Sequence, residues 1–131
     1  MSEVKEYLGA YCRFADSTCS ATGKDDELFI ERQKELSKWL NGQFTRFDMA
    51  VSGLAGETGE VADLWKKLKF HGKELNQEMF DKMLDELGDV YWYLAQASTA
   101  LGVSMDEIIN KNIAKLEKRH PNGFSNEYMK K

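Results

Sequence analysis

Proline is nearly absent: Pro121 is the only one in 131 residues. That removes the commonest helix breaker and leaves a Leu-, Lys-, Glu- and Ala-rich chain free to run long helices. Cysteine is scarce too. Cys12 and Cys19 stand seven residues apart, a spacing that makes neither a redox pair nor a zinc set. On one helix it separates them by about 10 Å, beyond disulfide reach, so both are expected to be reduced thiols, as in a cytoplasmic protein. No run approaches the roughly 18 apolar residues of a membrane span, and no basic n-region precedes an apolar stretch. A basic excess is also missing. The net charge of −4 argues against a nucleic-acid duplex as partner, though not against a nucleotide, since a metal reverses the field locally.

What remains is helical periodicity, with no segment reading as a strand. A first helix is expected over residues 3–15, with Val4, Tyr7, Leu8, Tyr11 and Phe14 in register, followed by a loop over residues 16–25. A second covers 26–40 and stops at Asn41-Gly42. A third is expected to start near Asp48 as N-cap and to reach Phe70 before His71-Gly72. The fourth runs from about Asn76 to Ala100 and ends at Leu101-Gly102. Ser104, with Glu107 three residues on, caps a fifth that ends at Pro121-Asn122-Gly123. The expectation is one helical domain, with N-terminal helices over 1–45, core helices over 46–120, and a partly mobile tail over 121–131.

Two of these helices carry a similar acidic pair, Glu57-Thr58-Gly59-Glu60 and Glu86-Leu87-Gly88-Asp89. Acids three apart share one helix face. On the helical wheel both pairs border the apolar stripe, Leu54, Val61, Trp65 and Leu68 in one helix, Leu87, Val90, Leu94 and Ala97 in the other. If the stripes pack together, four carboxylates meet, and each close pair repels by about 4 kcal/mol at an effective dielectric near 20. A hard divalent cation with oxygen ligands answers that charge best. Zinc fits poorly, because His71 and His120 lie near helix ends, and no Glu-x-x-His motif suggests di-iron. A solvated acidic face is the plain alternative for either pair alone.

Asn112, Lys115 and Arg119 form a polar, mostly cationic strip on the fifth helix, suited to phosphate oxygens or simply to the helix dipole. Lys67 shares the carboxylate face and either meets phosphate or pairs with Glu60. Lys82, four residues before Glu86, reads as its intrahelical partner. Gly53, Gly56 and Gly59 each cost about 1 kcal/mol inside a helix; close approach of a neighbouring helix explains them, or room for a ligand. Tryptophans at helical spacing are commonly core, but Trp39 with Phe44 and Phe47 offers a place for a base.

Over residues 47–124 the chain resembles the MazG-like, all-α nucleoside triphosphate pyrophosphohydrolases. The resemblance rests on G-L-A-G-E-T-G-E-V-A-D-L-W-K-K from Gly53, F-H-G-K-E-L from Phe70, D-E-L-G-D-V-Y-W-Y-L from Asp85 and N-I-A-K-L-E-K-R-H-P-N-G-F-S from Asn112. It implies an antiparallel bundle of about five helices, assembling as a homodimer or a dimer of dimers. It implies Glu57, Glu60, Glu86 and Asp89 as ligands of Mg²⁺, with Mn²⁺ as a substitute, and Glu57 or Glu60 as general base. It makes Asn112, Lys115 and Arg119 the phosphate contacts; Lys67, from its helix face, and Trp39 and Phe47, from their aromatic surface, complete the expected substrate contacts as read from the residues themselves. His120 stands where relatives more often carry Tyr. The implied reaction splits a (d)NTP between its α- and β-phosphates into a monophosphate and pyrophosphate. The competing reading is a non-catalytic binding or interaction module on the same fold.

Overall fold

In the computed structural model, which describes residues 1–124, five α-helices follow one another and no strand occurs among the described residues: α1 Ser2–Thr18, α2 Asp26–Trp39, α3 Phe44–Phe70, α4 Gln77–Leu101 and α5 Met105–Arg119. A single 3₁₀ turn, Ala21–Gly23, precedes α2. The expected tail mobility falls largely on residues 125–131, outside the described residues. Among the described residues no helix is long and apolar enough to cross a membrane. Both cysteines are free and exposed.

The helix ends follow local chemistry. Asn76 caps α4 through the Met79 amide (3.0 Å), and Asp25 accepts from the Glu27 and Leu28 amides at 2.9 and 3.0 Å. Ser104 Oγ accepts from the Glu107 amide at 3.2 Å, the expected cap of α5. Ser104→Ala should lower the stability of the second unit by about 1 kcal/mol, read as a fall in the thermal midpoint; an unchanged midpoint would mean that the cap is idle. Gly102 ends α4 at φ 69, a left-handed conformation that glycine adopts without strain.

Two boundaries differ from expectation. The first helix continues past Ala15 into the expected loop, where Ser17 and Thr18 turn their hydroxyls onto the Phe14 and Ala15 carbonyls. Asp48 is not a cap: α3 begins at Phe44 and contains it. The break lies in the positive φ of Asn41 (51) and Gly42 (78). Nothing after that turn interrupts a helix, and a cap preference of about 1 kcal/mol does not stop one.

The chain divides into two compact units, residues 1–41 and the remainder. In the first unit α2 packs on the 3₁₀ turn. The amphipathic α1 keeps Val4, Tyr7, Leu8, Tyr11 and Phe14 exposed. In the second unit α3 and α4 lie along each other, with α5 joined to α4 more lightly. The α3–α4 pair is antiparallel, since Gly53 lies against Tyr93 while Glu57, a turn further on, lies near Glu86 and Asp89. Its core is thin: Ala50, Ser98 and Ala100 are the buried residues among those described. Trp65 and Trp92, expected as core, stay about half exposed, at 56% and 51%, because α3 and α4 cover each other along one face and α5 adds only a light contact to α4.

Candidate metal centre

The site is built where α3 and α4 run closest. Gly53 makes that approach feasible. A Cβ placed there would fall 2.0–2.5 Å from ring atoms of Tyr93, so the ring lies on bare helix backbone. Trp92 meets the same ring edge-on at 4.9 Å. Gly56 and Gly59 differ: a Cβ at either would meet nothing within 4 Å. Close helix packing thus accounts for the first glycine alone.

One turn along from this contact, Glu57 faces Glu86 and Asp89. Each offers a carboxylate oxygen, and the three oxygens lie within 4.8 Å of one another. Glu57 and Glu86 are half-buried and Asp89 exposed. Glu60 stands outside this trio, yet its charge reaches it. Burial holds the Glu86 carboxyl above its ordinary value, helped by a hydrogen bond with Glu57 and the charges of Glu57, Glu60 and Asp89. The geometry thus brings together three of the four expected ligands and leaves the fourth within electrostatic range.

The nearby lysines do not relieve this charge. Lys67 pairs with Asp63 at 2.5 Å, not with Glu60, and Lys66 takes the other oxygen of the same aspartate at 2.7 Å. These hydrogen bonds draw Asp63 down to about 2 and raise Lys67, with Glu60 adding a smaller pull. Lys82 pairs with Glu78 at 2.7 Å rather than with Glu86. Both departures share a cause, since an acid four residues before a lysine is the favourable orientation along the helix dipole. Asp63 is the residue that sequence reasoning passed over, although its spacing to Lys67 was visible. Among the described residues, none of Glu57, Glu86 and Asp89 forms an ion pair.

An all-oxygen, uncompensated donor set suits a hard dication. Octahedral magnesium holds ligands at about 2.1 Å and spans about 4.2 Å between opposite oxygens, a span comparable to the separations within the trio, so these three residues could share such an ion. No histidine or cysteine joins the cluster, which sets it apart from a zinc or di-iron site.

On α5, Asn112, Lys115 and Arg119 are exposed. Asn112 and Lys115 line an open depression of about 410 Å³ with Ile108, Ile109 and Lys111. Phe47 is half-buried at the start of α3. Trp39 closes α2, is 80% exposed and belongs to the first unit. His120 stacks on Phe124 with ring centroids 5.8 Å apart.

The gene 37 protein of Mycobacterium phage L5 is 40% identical over 72 residues, 54% of this chain and 63% of the phage protein. The chain therefore spans somewhat less than two thirds of that relative's length. No solved structure matches. The family model for the MazG nucleotide pyrophosphohydrolase domain matches residues 46–124, which takes in both acidic pairs and the whole of α4 and α5. With its helices and carboxylates accounted for in this way, the chain belongs to the MazG nucleotide pyrophosphohydrolase family.

Proposed function

We propose that this protein is a cytoplasmic, Mg²⁺-dependent nucleoside triphosphate pyrophosphohydrolase that splits a (d)NTP between the α- and β-phosphates, working as a homodimer or a dimer of dimers. The observation that carries the reading is the convergence of Glu57 with Glu86 and Asp89 from two helices, uncompensated by any neighbouring lysine. Family membership supports the reaction class.

Glu57, Glu86 and Asp89 would hold the ion, with Glu60 beside them. When bound, magnesium neutralises phosphate oxygens, polarises phosphorus and lowers the pKa of a water; Mn²⁺ supplies the same chemistry. Glu60, outside the tight trio, is the carboxylate best placed to accept the proton of the attacking water. Asn112, Lys115 and Arg119 bind the phosphate oxygens that the ion leaves uncovered. Lys67, tethered by Asp63, keeps a positive charge on the same helix face as Glu60. Phe47 supplies aromatic surface for a base. As water bonds to the α-phosphorus, the bond to the α–β bridging oxygen breaks and pyrophosphate leaves.

Incubation with a panel of (d)NTPs and Mg²⁺ should release pyrophosphate and the matching monophosphate. Glu60→Gln should abolish this release while nucleotide and Mn²⁺ still bind. No turnover of any nucleotide, with metal binding intact, would transfer the protein to the non-catalytic reading.

A further inference from the structure

On α3, two lysines meet at a single carboxylate. Asp63 gives one oxygen to Lys66 at 2.7 Å and the other to Lys67 at 2.5 Å. Its side chain is 33% exposed, less than that of either lysine, and the two hydrogen bonds hold its carboxyl down to about 2. On the helical wheel Lys66 and Lys67 flank Asp63 on opposite sides. With an oxygen engaged on each side the carboxylate is not free to turn, and Lys67 is fixed with it.

This pairing decides which acid Lys67 meets. Glu60 lies seven residues before Lys67, on nearly the same bearing and about 10 Å along the axis, a gap that an extended lysine and an extended glutamate span together. Helical side chains lean towards the N-terminus, so a loose Lys67 would lean towards Glu60. Asp63 stands between them, about one turn from each, and takes the ammonium first. Glu60 still raises Lys67 through its charge, yet among the described residues it forms no ion pair. On α4 the choice is repeated, since Lys82 takes Glu78 and leaves Glu86 alone. The difference is chemical. A lysine hydrogen-bonded to Glu60 would occupy the lone pairs that take up a proton or a cation, and would cancel its charge. A lysine held back leaves those lone pairs open and still presents a positive charge to phosphate oxygens.

We propose that Asp63 is a positioning residue that parks Lys67 within the field of Glu60 but out of contact with it, so that Glu60 keeps open lone pairs for its work at the metal centre. The proposal rests on the function proposed above, but its first test needs neither metal nor turnover. In metal-free, ¹³C-labelled protein, the Glu60 carboxyl resonance should barely respond to Lys67→Met in the wild type. It should respond clearly in the Asp63→Asn background, where the freed lysine reaches Glu60. Mn²⁺ binding, read by calorimetry, should weaken about fivefold in Asp63→Asn. Asp63→Glu, which keeps an acid four residues before Lys67, should stay within about twofold of the wild type. Once Lys67 is Met, Asp63→Asn should cost no more than about twofold. Exposed ion pairs add little stability, so all these variants should fold with unchanged helical content. A Glu60 resonance indifferent to Lys67 in the Asp63→Asn background would overturn the proposal. So would an Asp63→Asn penalty of equal size with and without Lys67, which is what a plain loss of negative charge near the ion gives. If the wild type takes up no Mn²⁺, the metal-centre reading falls by itself, and the resonance still decides where Lys67 sits.

Discussion

Glu86→Gln is expected to do two opposite things: cut nucleotide turnover on the order of 10²–10³-fold and raise the melting temperature of the metal-free protein. The loss follows, on the proposed function, from removing one of three converging oxygens that would hold the ion. The gain follows from the resting state of the cluster, in which half-burial and the charges of Glu57, Glu60 and Asp89 oppose ionisation of Glu86. A neutral amide of the same shape removes that charge and can still donate a hydrogen bond to Glu57.

The pH dependence has a definite sign. Glu86 titrates higher in the folded than in the unfolded chain, so the folded state holds its proton more tightly. Its destabilising effect is then fully present above the folded pKa. It fades as pH falls from there towards the ordinary 4.5, and stability rises over that window. The glutamine variant should lose this slope. Added Mg²⁺ should stabilise the wild type by mass action and the variant far less, so the order of the two melting curves should reverse with metal. Scanning calorimetry with EDTA and with Mg²⁺ reads both effects. A metal-free variant that melts below the wild type, with the same pH slope, would show that the carboxylates are not a strained cluster.

Gly53→Ala is the second large effect, and its neighbours supply the control. Alanine is worth about 1 kcal/mol over glycine within a helix, so Gly56→Ala and Gly59→Ala, which meet open space, should each stabilise by about that amount. At Gly53 the new methyl lands inside the Tyr93 ring. The ring must then leave its place beside Trp92 or the helices must part. Overpacking of this kind costs about 1–3 kcal/mol, or more, which outweighs the helix gain. Urea midpoints should thus move in opposite directions. Activity should fall with Gly53→Ala, because Gly53 lies one turn from Glu57 and Tyr93 one turn from Asp89, and the helix spacing at that contact sets the spacing of the carboxylates. If Gly53→Ala stabilises as its neighbours do, the contact does not control the helix pair.

Local chemistry was legible in the sequence because it acts over one helical turn. Asn76, Ser104 and Gly102 mark helix ends through bonds and dihedrals within four residues, and all three stand where the pattern placed them. The acidic pairs were legible for the same reason, since a spacing of three puts both side chains on one face. The misreadings are also local. Asp48 carried a weak cap preference inside a stretch with no breaker, and Lys67 and Lys82 each chose the acid four residues before them over the partner first expected.

Periodicity shows which face of a helix is apolar but not how deep a neighbour sits or whether one exists. Only the tertiary structure decided that Gly53 alone of the three glycines admits an aromatic ring, that Glu57 rather than Glu60 meets Glu86 and Asp89, and that Ile108, Ile109 and Ile113 of α5 stay exposed. Those outcomes depend on distances between segments some 30 or more residues apart, set by the packing of whole helices, and no window along the chain contains them.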